Sequence, residues 1–209
     1  MNQELRQMVG EALAFGDVMD EANLGVSRFG HDEKTARFIR LDMVKFLLYL
    51  STSDDVIHDS EAQFFRDYLG YNFETATITS LIDKFELKKE TFQTTVPFSF
   101  GVMIEADSIV TAQTGKNPGA AMALLRVYHA LGSAFVQCDE DVSEEERKDF
   151  SEYLTMLRDT IEEAVRNAMA QYEKLQEAGA DTDEEAQSGA SKETEDAEAE
   201  ESAAETSKE

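Results

Sequence analysis

Apolar residues recur three and four positions apart along most of the 209-residue chain, which is the periodicity of amphipathic helices. No segment alternates apolar and polar residues over the length of a strand. The clearest stripe lies late in the chain and consists of Phe150, Tyr153, Leu154, Leu157, Ile161, Val165, Ala168 and Tyr172. The spacing predicts an all-α protein of about seven helices, over residues 2–22, 33–51, 59–69, 74–85, about 104–114, 118–137 and 144–178.

Helix-breaking residues support these boundaries. Pro97 disfavours helical backbone at the residue before it, and Pro118 suits the first turn of a new helix. Asp32 is a candidate N-cap for the helix at 33–51. The second half of that helix, LDMVKFLLYL, is apolar on nearly all sides, so we expect it to lie in the middle of the bundle.

Two segments that lie 85 positions apart carry the same pattern. Residues 53–69 read SDDVIHDSEAQFFRDYL and residues 138–154 read CDEDVSEEERKDFSEYL, which share D-x-x-[IV]-x-x-x-E-x-x-x-F-x-x-Y-L. Each copy follows an apolar run and continues with helical spacing. The repeat therefore predicts two pseudo-symmetric helix–acidic loop–helix hairpins, over 33–69 and 118–154, packed together in one bundle.

The repeat also predicts equivalent packing of its aromatic residues. Phe65 matches Phe150, and we expect both rings to be buried. Tyr68 matches Tyr153, and each is expected to place its ring in the core with the hydroxyl at the edge.

The net charge of −25 is spread unevenly. Residues 180–209 contain twelve acids, two lysines and no large apolar residue, a composition that cannot bury enough surface to fold alone. We therefore expect an all-helical domain over 1–179 followed by a disordered acidic tail. The excess of negative charge repels phosphate backbones and anionic lipids, so nucleic acid and membrane insertion are not expected. Basic proteins and cations are the partners that the charge permits.

The remaining composition indicates a cytoplasmic protein. The single cysteine, Cys138, excludes an internal disulfide, as suits a reducing compartment. Glu4, Arg6 and Glu11 interrupt the region where a signal peptide would need an apolar core. No apolar run approaches the length of about 20 residues that spans a bilayer.

The acidic loops are the candidate functional sites. Clustered carboxylates repel one another unless a hard cation such as calcium or magnesium offsets their charge. An ordinary EF-hand is excluded, because Leu50, Thr52, Phe135 and Gln137 occupy the first and third ligand positions of such loops. The carboxylates that would hold a cation are Asp54, Asp55, Glu61, Asp139, Asp141 and Glu146.

A structural role for these acids is the alternative. Ser143 and Glu146 form a capping box at the start of a helix, and acids in a first turn interact favourably with the helix dipole. In the first copy His58 stands at the cap position, which leaves Glu61 for another role.

No catalytic or cofactor-binding residues can be assigned. Three histidines scattered along a helical chain do not define a Ser–His–Asp or Cys–His set, and Lys116 is not part of a phosphate-binding loop. A hydrolase that uses paired carboxylates is the least favoured of the functions considered.

The two acidic motifs resemble those of the TerB-like family, which includes the tellurite-resistance protein B and the N-terminal domains of some membrane-anchored J-domain co-chaperones. The resemblance covers roughly 33–172, and its motif reads DDVIHDSE at 54–61, with Asp55 where the family usually has glycine. Glu140 stands at that place in the second copy. The resemblance implies an all-helical fold with internal pseudo-twofold symmetry and, in some members, an acidic metal-binding face.

We therefore expect a non-enzymatic, cytoplasmic TerB-like module that binds a protein partner and a divalent cation. TerB-like segments accompany AAA-type ATPases in some bacteria, so the resemblance suggests such an ATPase, or a stress-response protein, as the partner. The alternative is a dedicated metal-binding stress protein. The chain itself carries no ATPase motif.

Overall fold

The computed structural model describes residues 2–30, 32–52, 57–138 and 144–205, and within these ranges all side chains except those of 146 and 179–205. The described residues contain no strand and form eight α-helices. They are α1 (Gln3–Glu21), α2 (Thr35–Leu50), α3 (Asp59–Phe64), α4 (Thr75–Phe85), α5 (Lys89–Phe92), α6 (Phe98–Thr114), α7 (Ala120–Val136) and α8 (Glu144–Glu205). The all-α prediction is confirmed. Within the described part of the chain, no helix combines the length and the apolar character that crossing a membrane requires.

Several elements differ from the predicted ones. Helix α6 begins at Phe98, whereas the sequence predicts a helix from about residue 104. The stretch between α4 and Pro97, for which the sequence predicts no helix, contains the four-residue helix α5. Helix α8 continues to Glu205 rather than ending near Ala178, and the residues that extend it are rich in alanine and glutamate, which favour helical backbone without any packing partner. The disordered acidic tail over 180–209 stays a prediction.

The core is centred on α2 and α7. Phe46 of α2 is completely buried, and its ring lies 4.9 Å from the ring of Tyr128 in α7 and 5.6 Å from that of Tyr153 in α8. Every residue from Phe46 to Leu50 is buried. A helix that is apolar on all sides can be accommodated only inside the bundle, so the predicted central position of α2 is confirmed.

The N-termini of three helices are each capped by a buried aspartate that belongs to another helix. Asp20 of α1 accepts a hydrogen bond from the backbone N–H of Thr35 at 2.8 Å. Asp107 of α6 accepts hydrogen bonds from the N–H groups of Ala120 and Ala121 at 3.0 and 2.9 Å. Since the first N–H groups of a helix have no partner inside it, each aspartate satisfies donors of the next helix. The prediction that Asp32 caps α2 is wrong, because Asp20 does so.

The third such aspartate, Asp42 of α2, acts on α6. Its Oδ2 accepts a hydrogen bond from the backbone N–H of Ser99 at 2.8 Å. Pro97 stands at the N-cap position of α6 and has no side-chain acceptor, so the acceptor comes from another helix.

The two repeats fold into helices but pack unequally. After α3 the first copy continues as a π-helical segment, Phe65–Leu69. A π-helix has more residues per turn than an α-helix, so side chains of this segment point in other directions than those of the α-helical second copy. Phe65 is buried, whereas Phe150 in regular α-helix is only half-buried. The prediction that both rings are buried is right for Phe65 and wrong for Phe150.

The tyrosine pair is also unequal. Tyr68 is half-buried, and its hydroxyl accepts a hydrogen bond from the backbone nitrogen of Asn2 at 2.6 Å, as expected for a ring at the edge of the core. Tyr153 is completely buried, and its hydroxyl has no hydrogen-bond partner among the described residues. The expected position of the hydroxyl at the edge is therefore wrong for Tyr153.

Candidate functional site

The acidic loops lie mostly outside the described residues. This holds for Asp54, Asp55, Asp139 and Asp141, while Glu146 lies in the first turn of α8 with its side chain undescribed. Where the structure describes side chains, no three histidine, cysteine, aspartate or glutamate residues come together in a way that could hold a metal ion. Calcium or magnesium binding by the loops stays a prediction.

Glu61 is the one described member of that set, and it caps its own helix. Its side chain is buried, and Oε2 accepts a hydrogen bond from the backbone N–H of His58 at 2.8 Å. This is the contact that the third residue of a capping box makes with the N-cap residue. The expectation that Glu61 is left for another role is therefore corrected: Glu61 performs the capping that the sequence assigned only to Glu146.

An apolar groove of about 380 Å³ runs between α1 and α7. Phe15 lines it and is 42% exposed, and Val18, one turn farther along α1, is 55% exposed. An apolar groove with an exposed aromatic side chain in its wall marks interaction sites more often than isolated apolar residues do. The groove is lined further by Met8, Ala12, Met103, Ala120, Ala123, Leu124 and Val127.

Acidic residues occupy exposed positions of α1, and one of them, Glu11, lines the groove. The exposed positions of that helix carry Glu4, Glu11, Asp17 and Glu21, and none of these carboxylates forms an ion pair with a described residue. Arg6, the one base of α1, donates hydrogen bonds to the backbone carbonyl of Asp67. Glu11 therefore gives the α1 side of the groove a negative charge, while Arg126 of α7 lines the groove as well.

A second cavity, of about 420 Å³, lies beside α2 and reaches α8. Asp42, Lys45 and Tyr153 contribute its polar surface from these two helices. Burial raises the pKa of Asp42, against the lowering effect of its hydrogen bonds with Ser99. Burial, together with the charge of Asp42, also raises the pKa of the Tyr153 hydroxyl, which is therefore a neutral hydrogen-bonding group at physiological pH.

An ion pair between α5 and α8 lies near this cavity. Nζ of Lys89 in α5 lies 2.6 Å from Oδ1 of Asp149 in α8, and that contact raises the pKa of the lysine. Burial and the negative charge of Asp149 raise the pKa of Tyr49. Asp149 and Gln93 face the Tyr49 hydroxyl, but neither makes a well-formed hydrogen bond with it. The ion pair between Lys89 and Asp149 thus links the short helix α5 to α8.

Sequence reasoning missed both surfaces. Phe15 and Val18 share the helical spacing of the residues that α1 buries, Leu5, Val9 and Met19, so the sequence does not distinguish exposed from buried apolar positions there. Asp42 and Lys45 left a signal that could have been used, because they are the only charged residues in the otherwise apolar run LDMVKFLLYL.

Comparison with family models gave no match for this chain, and comparisons with curated proteins and with solved structures gave none either. The TerB-like relationship therefore remains a hypothesis that depends on the two acidic motifs.

Proposed function

We propose that the protein is a non-enzymatic binding module that holds an amphipathic, basic helix of a partner protein in the groove between α1 and α7. The observation that supports this most directly is the exposure of Phe15, which lines an apolar groove, with the exposed Val18 one turn farther along the same helix. Water-exposed apolar area of this kind is stabilised when a partner covers it.

The shape of the groove favours a helix as the occupant. Two helices form its walls, and its apolar residues Met8, Ala12 and Phe15 follow one another at intervals of four and three along α1. A partner helix with apolar residues at the same intervals would place its side chains between them, as in helix-in-groove recognition.

The charge of the rim favours a basic occupant. Glu11 lines the groove and has no ion-pair partner among the described residues, and the same holds for the other exposed acids of α1, Glu4, Asp17 and Glu21. Lysines or arginines of a partner in the groove can therefore approach Glu11. A second copy of the chain would bring the same acids against each other and would be repelled. The TerB-like resemblance suggests an AAA-type ATPase or a stress-response protein as the source of the helix.

A selection from a peptide library tests the proposal. The library holds helical peptides with one apolar face and with polar positions that vary between lysine and glutamate, and the full-length chain is the bait. We expect the selected peptides to be rich in lysine and to bind the Phe15→Glu variant at least about tenfold less tightly. Selection of acidic peptides would contradict the proposal.

Phe29→Glu is the matched control. Phe29 is 46% exposed, close to the 42% of Phe15, but it contacts Phe98 and does not line the groove. Peptide affinity should be unchanged in this variant. An equal loss in both variants would show that a general change of surface charge, rather than the groove, decides binding.

A further inference from the structure

The cavity beside α2 has the size and the lining of a small-molecule site. Its volume of about 420 Å³ lies in the range usual for such sites, about 300–1,000 Å³. It has an apolar wall and a few polar groups, and it is separate from the α1–α7 groove and from the acidic loops. The apolar wall consists of Phe85, Leu87, Phe92, Val96, Pro97 and Phe98.

Asp42 places a carboxylate in this cavity. The residue is only 6% exposed, and its Oδ2 already accepts the N–H of Ser99. Burial raises the pKa of Asp42, so a cationic group that entered the cavity would stabilise its charged form.

Lys45 places a positive charge next to that carboxylate. It lies three residues later on α2, on the same face of the helix, where side chains start about 5–6 Å apart. Its ammonium group lies 5.4 Å from the centre of the Phe85 ring. Neither Asp42 nor any other described acid forms an ion pair with it. Helix α2 therefore presents one negative and one positive group to the cavity, side by side and not neutralised by direct contact, while the exposed Glu86 and Lys88 also line it.

Tyr153 adds a hydroxyl that the fold leaves without a partner. The residue lines the cavity and is completely buried, and no described residue hydrogen-bonds with its hydroxyl. A buried hydroxyl is destabilising when it is left unpaired, and among the unpaired tyrosine hydroxyls this one belongs to a residue that lines the cavity, where a bound molecule can supply the partner.

We infer that this cavity binds a free α-amino acid with a large apolar side chain. One carbon separates the ammonium and carboxylate groups of such a molecule, which suits two opposite charges that lie side by side on one helix. The ammonium group pairs with Asp42, and the carboxylate pairs with Lys45 and accepts a hydrogen bond from Tyr153. The side chain packs against the aromatic wall, of which Phe92 and Phe98 form part.

Ligands with a single charge fit less well. A simple amine would pair with Asp42 but would be repelled by the nearby Lys45, and a simple carboxylate would meet Asp42 without a compensating charge. This difference allows a test on the unmodified protein, which does not depend on any variant folding correctly.

Isothermal titration of the full-length chain with three probes tests the inference. The probes are L-phenylalanine, 2-phenylethylamine, which lacks the carboxylate, and 3-phenylpropionate, which lacks the ammonium group. We expect L-phenylalanine to bind at least about tenfold more tightly than either of the others, since each lacks one charge-assisted contact. The inference is overturned if either half-molecule binds as tightly, or if apolar amino acids do not bind at concentrations up to about 10 mM.

Variants assign each contact to a residue. Lys45→Met should weaken the binding of L-phenylalanine about tenfold and should not weaken that of 2-phenylethylamine, which the lysine repels. Asp42→Asn keeps an acceptor for Ser99 and should weaken L-phenylalanine, but it should not weaken 3-phenylpropionate, which the aspartate disfavours. Tyr153→Phe should weaken L-phenylalanine about fivefold.

Two control variants match these changes. Tyr128 is also completely buried with an unpaired hydroxyl but does not line the cavity, so Tyr128→Phe should leave binding unchanged. Lys84→Met removes an exposed lysine elsewhere and should also have no effect. If the control variants lose as much affinity as Tyr153→Phe and Lys45→Met, the cavity is not the binding site.

Discussion

Oδ2 of Asp42 in α2 lies 2.8 Å from the backbone nitrogen of Ser99 in α6, although 57 residues separate the two in the sequence. Asp20 and Asp107 hold the first turns of α2 and α7 in the same way. These buried carboxylates therefore tie the ends of helices to their neighbours, and they determine how stability responds to pH.

Asp42→Asn should make the free energy of unfolding rise less, relative to the parent, as the pH falls. Burial holds the pKa of Asp42 above its usual 3.8, so the folded state binds this proton more tightly than the unfolded state does. The contribution of this carboxyl to stability is greatest below the unfolded pKa and is lost as pH rises through the folded pKa. Urea unfolding should show Asp42→Asn at least as stable as the parent at neutral pH, with the advantage gone by about pH 3. An advantage that grows toward acid pH would contradict this.

Asp20→Asn should behave in the opposite way. Burial raises the pKa of Asp20, but hydrogen bonds from the hydroxyl and backbone N–H of Thr35 outweigh that effect and leave the pKa below 3.8. The stabilisation is therefore present above the unfolded pKa and is lost as pH falls through the folded one. We expect the variant to lose about 1 kcal/mol at neutral pH and to approach the parent in acid, measured in the same urea series.

Two helical glycines should respond differently to alanine. A Cβ at Gly101 in α6 meets no atom within 4 Å, whereas a Cβ at Gly132 in α7 would lie 2.9 Å from Cζ of Phe46 and would also clash with the ring of Phe150. Gly101→Ala should stabilise by about 0.5–1 kcal/mol because alanine favours helix. Gly132→Ala should destabilise by about 1–3 kcal/mol through overpacking. Thermal unfolding that ranks the two variants in the reverse order would refute the packing described for α7.

The unequal burial of the repeats can be measured directly. Phe65 is completely buried, with its ring 5.9 Å from that of Phe135, so Phe65→Ala should cost about 3–5 kcal/mol. Phe150 is half-buried, and Phe150→Ala should cost about 1–2 kcal/mol. Equal losses in urea unfolding would mean that both copies pack alike, as the sequence predicted.

Cation binding by the acidic loops should appear as a shift in melting temperature. A cation that binds only the folded chain stabilises it by about 2.7 kcal/mol at a hundredfold excess over Kd, and flexible surface carboxylates are expected to bind calcium or magnesium only at millimolar concentrations. Titration at constant ionic strength should stabilise the parent more than Asp54→Asn/Asp139→Asn. Equal shifts in both proteins would end the hypothesis for these residues.

The sequence predicted the helices well because their boundaries are local properties. Apolar spacing predicted α6 from about residue 104 to its end, although the helix begins at Phe98, and the all-round apolar run placed α2 at the centre. The capping of α2 could not be predicted in the same way, because Asp32 is adjacent in sequence while the actual acceptor, Asp20, reaches Thr35 from another helix. The π-helical turn at Phe65 likewise depends on tertiary packing, which a repeat in the sequence does not reveal.

The candidate sites were less predictable. The acidic motifs stand out locally, but only the structure shows that Glu61 is used as a cap. Phe15 and Val18 have the spacing of core residues, and their exposure depends on how wide a face of α1 the bundle covers. Asp42 and Tyr153 line one cavity although they lie 111 positions apart in the sequence, and no local sequence pattern predicts this.

The groove between α1 and α7 is tested most directly by photo-crosslinking in the cells that make the protein. A photoreactive amino acid replaces Val18, which is 55% exposed beside the groove, and in a control it replaces Leu175, which is 64% exposed on α8. The crosslinked segment is then sequenced by mass spectrometry. We predict that Val18 captures a basic, amphipathic helical segment of another protein and that Leu175 does not. Recovery of the same segment from both positions, of an acidic segment, or of a second copy of this chain would contradict the proposed function.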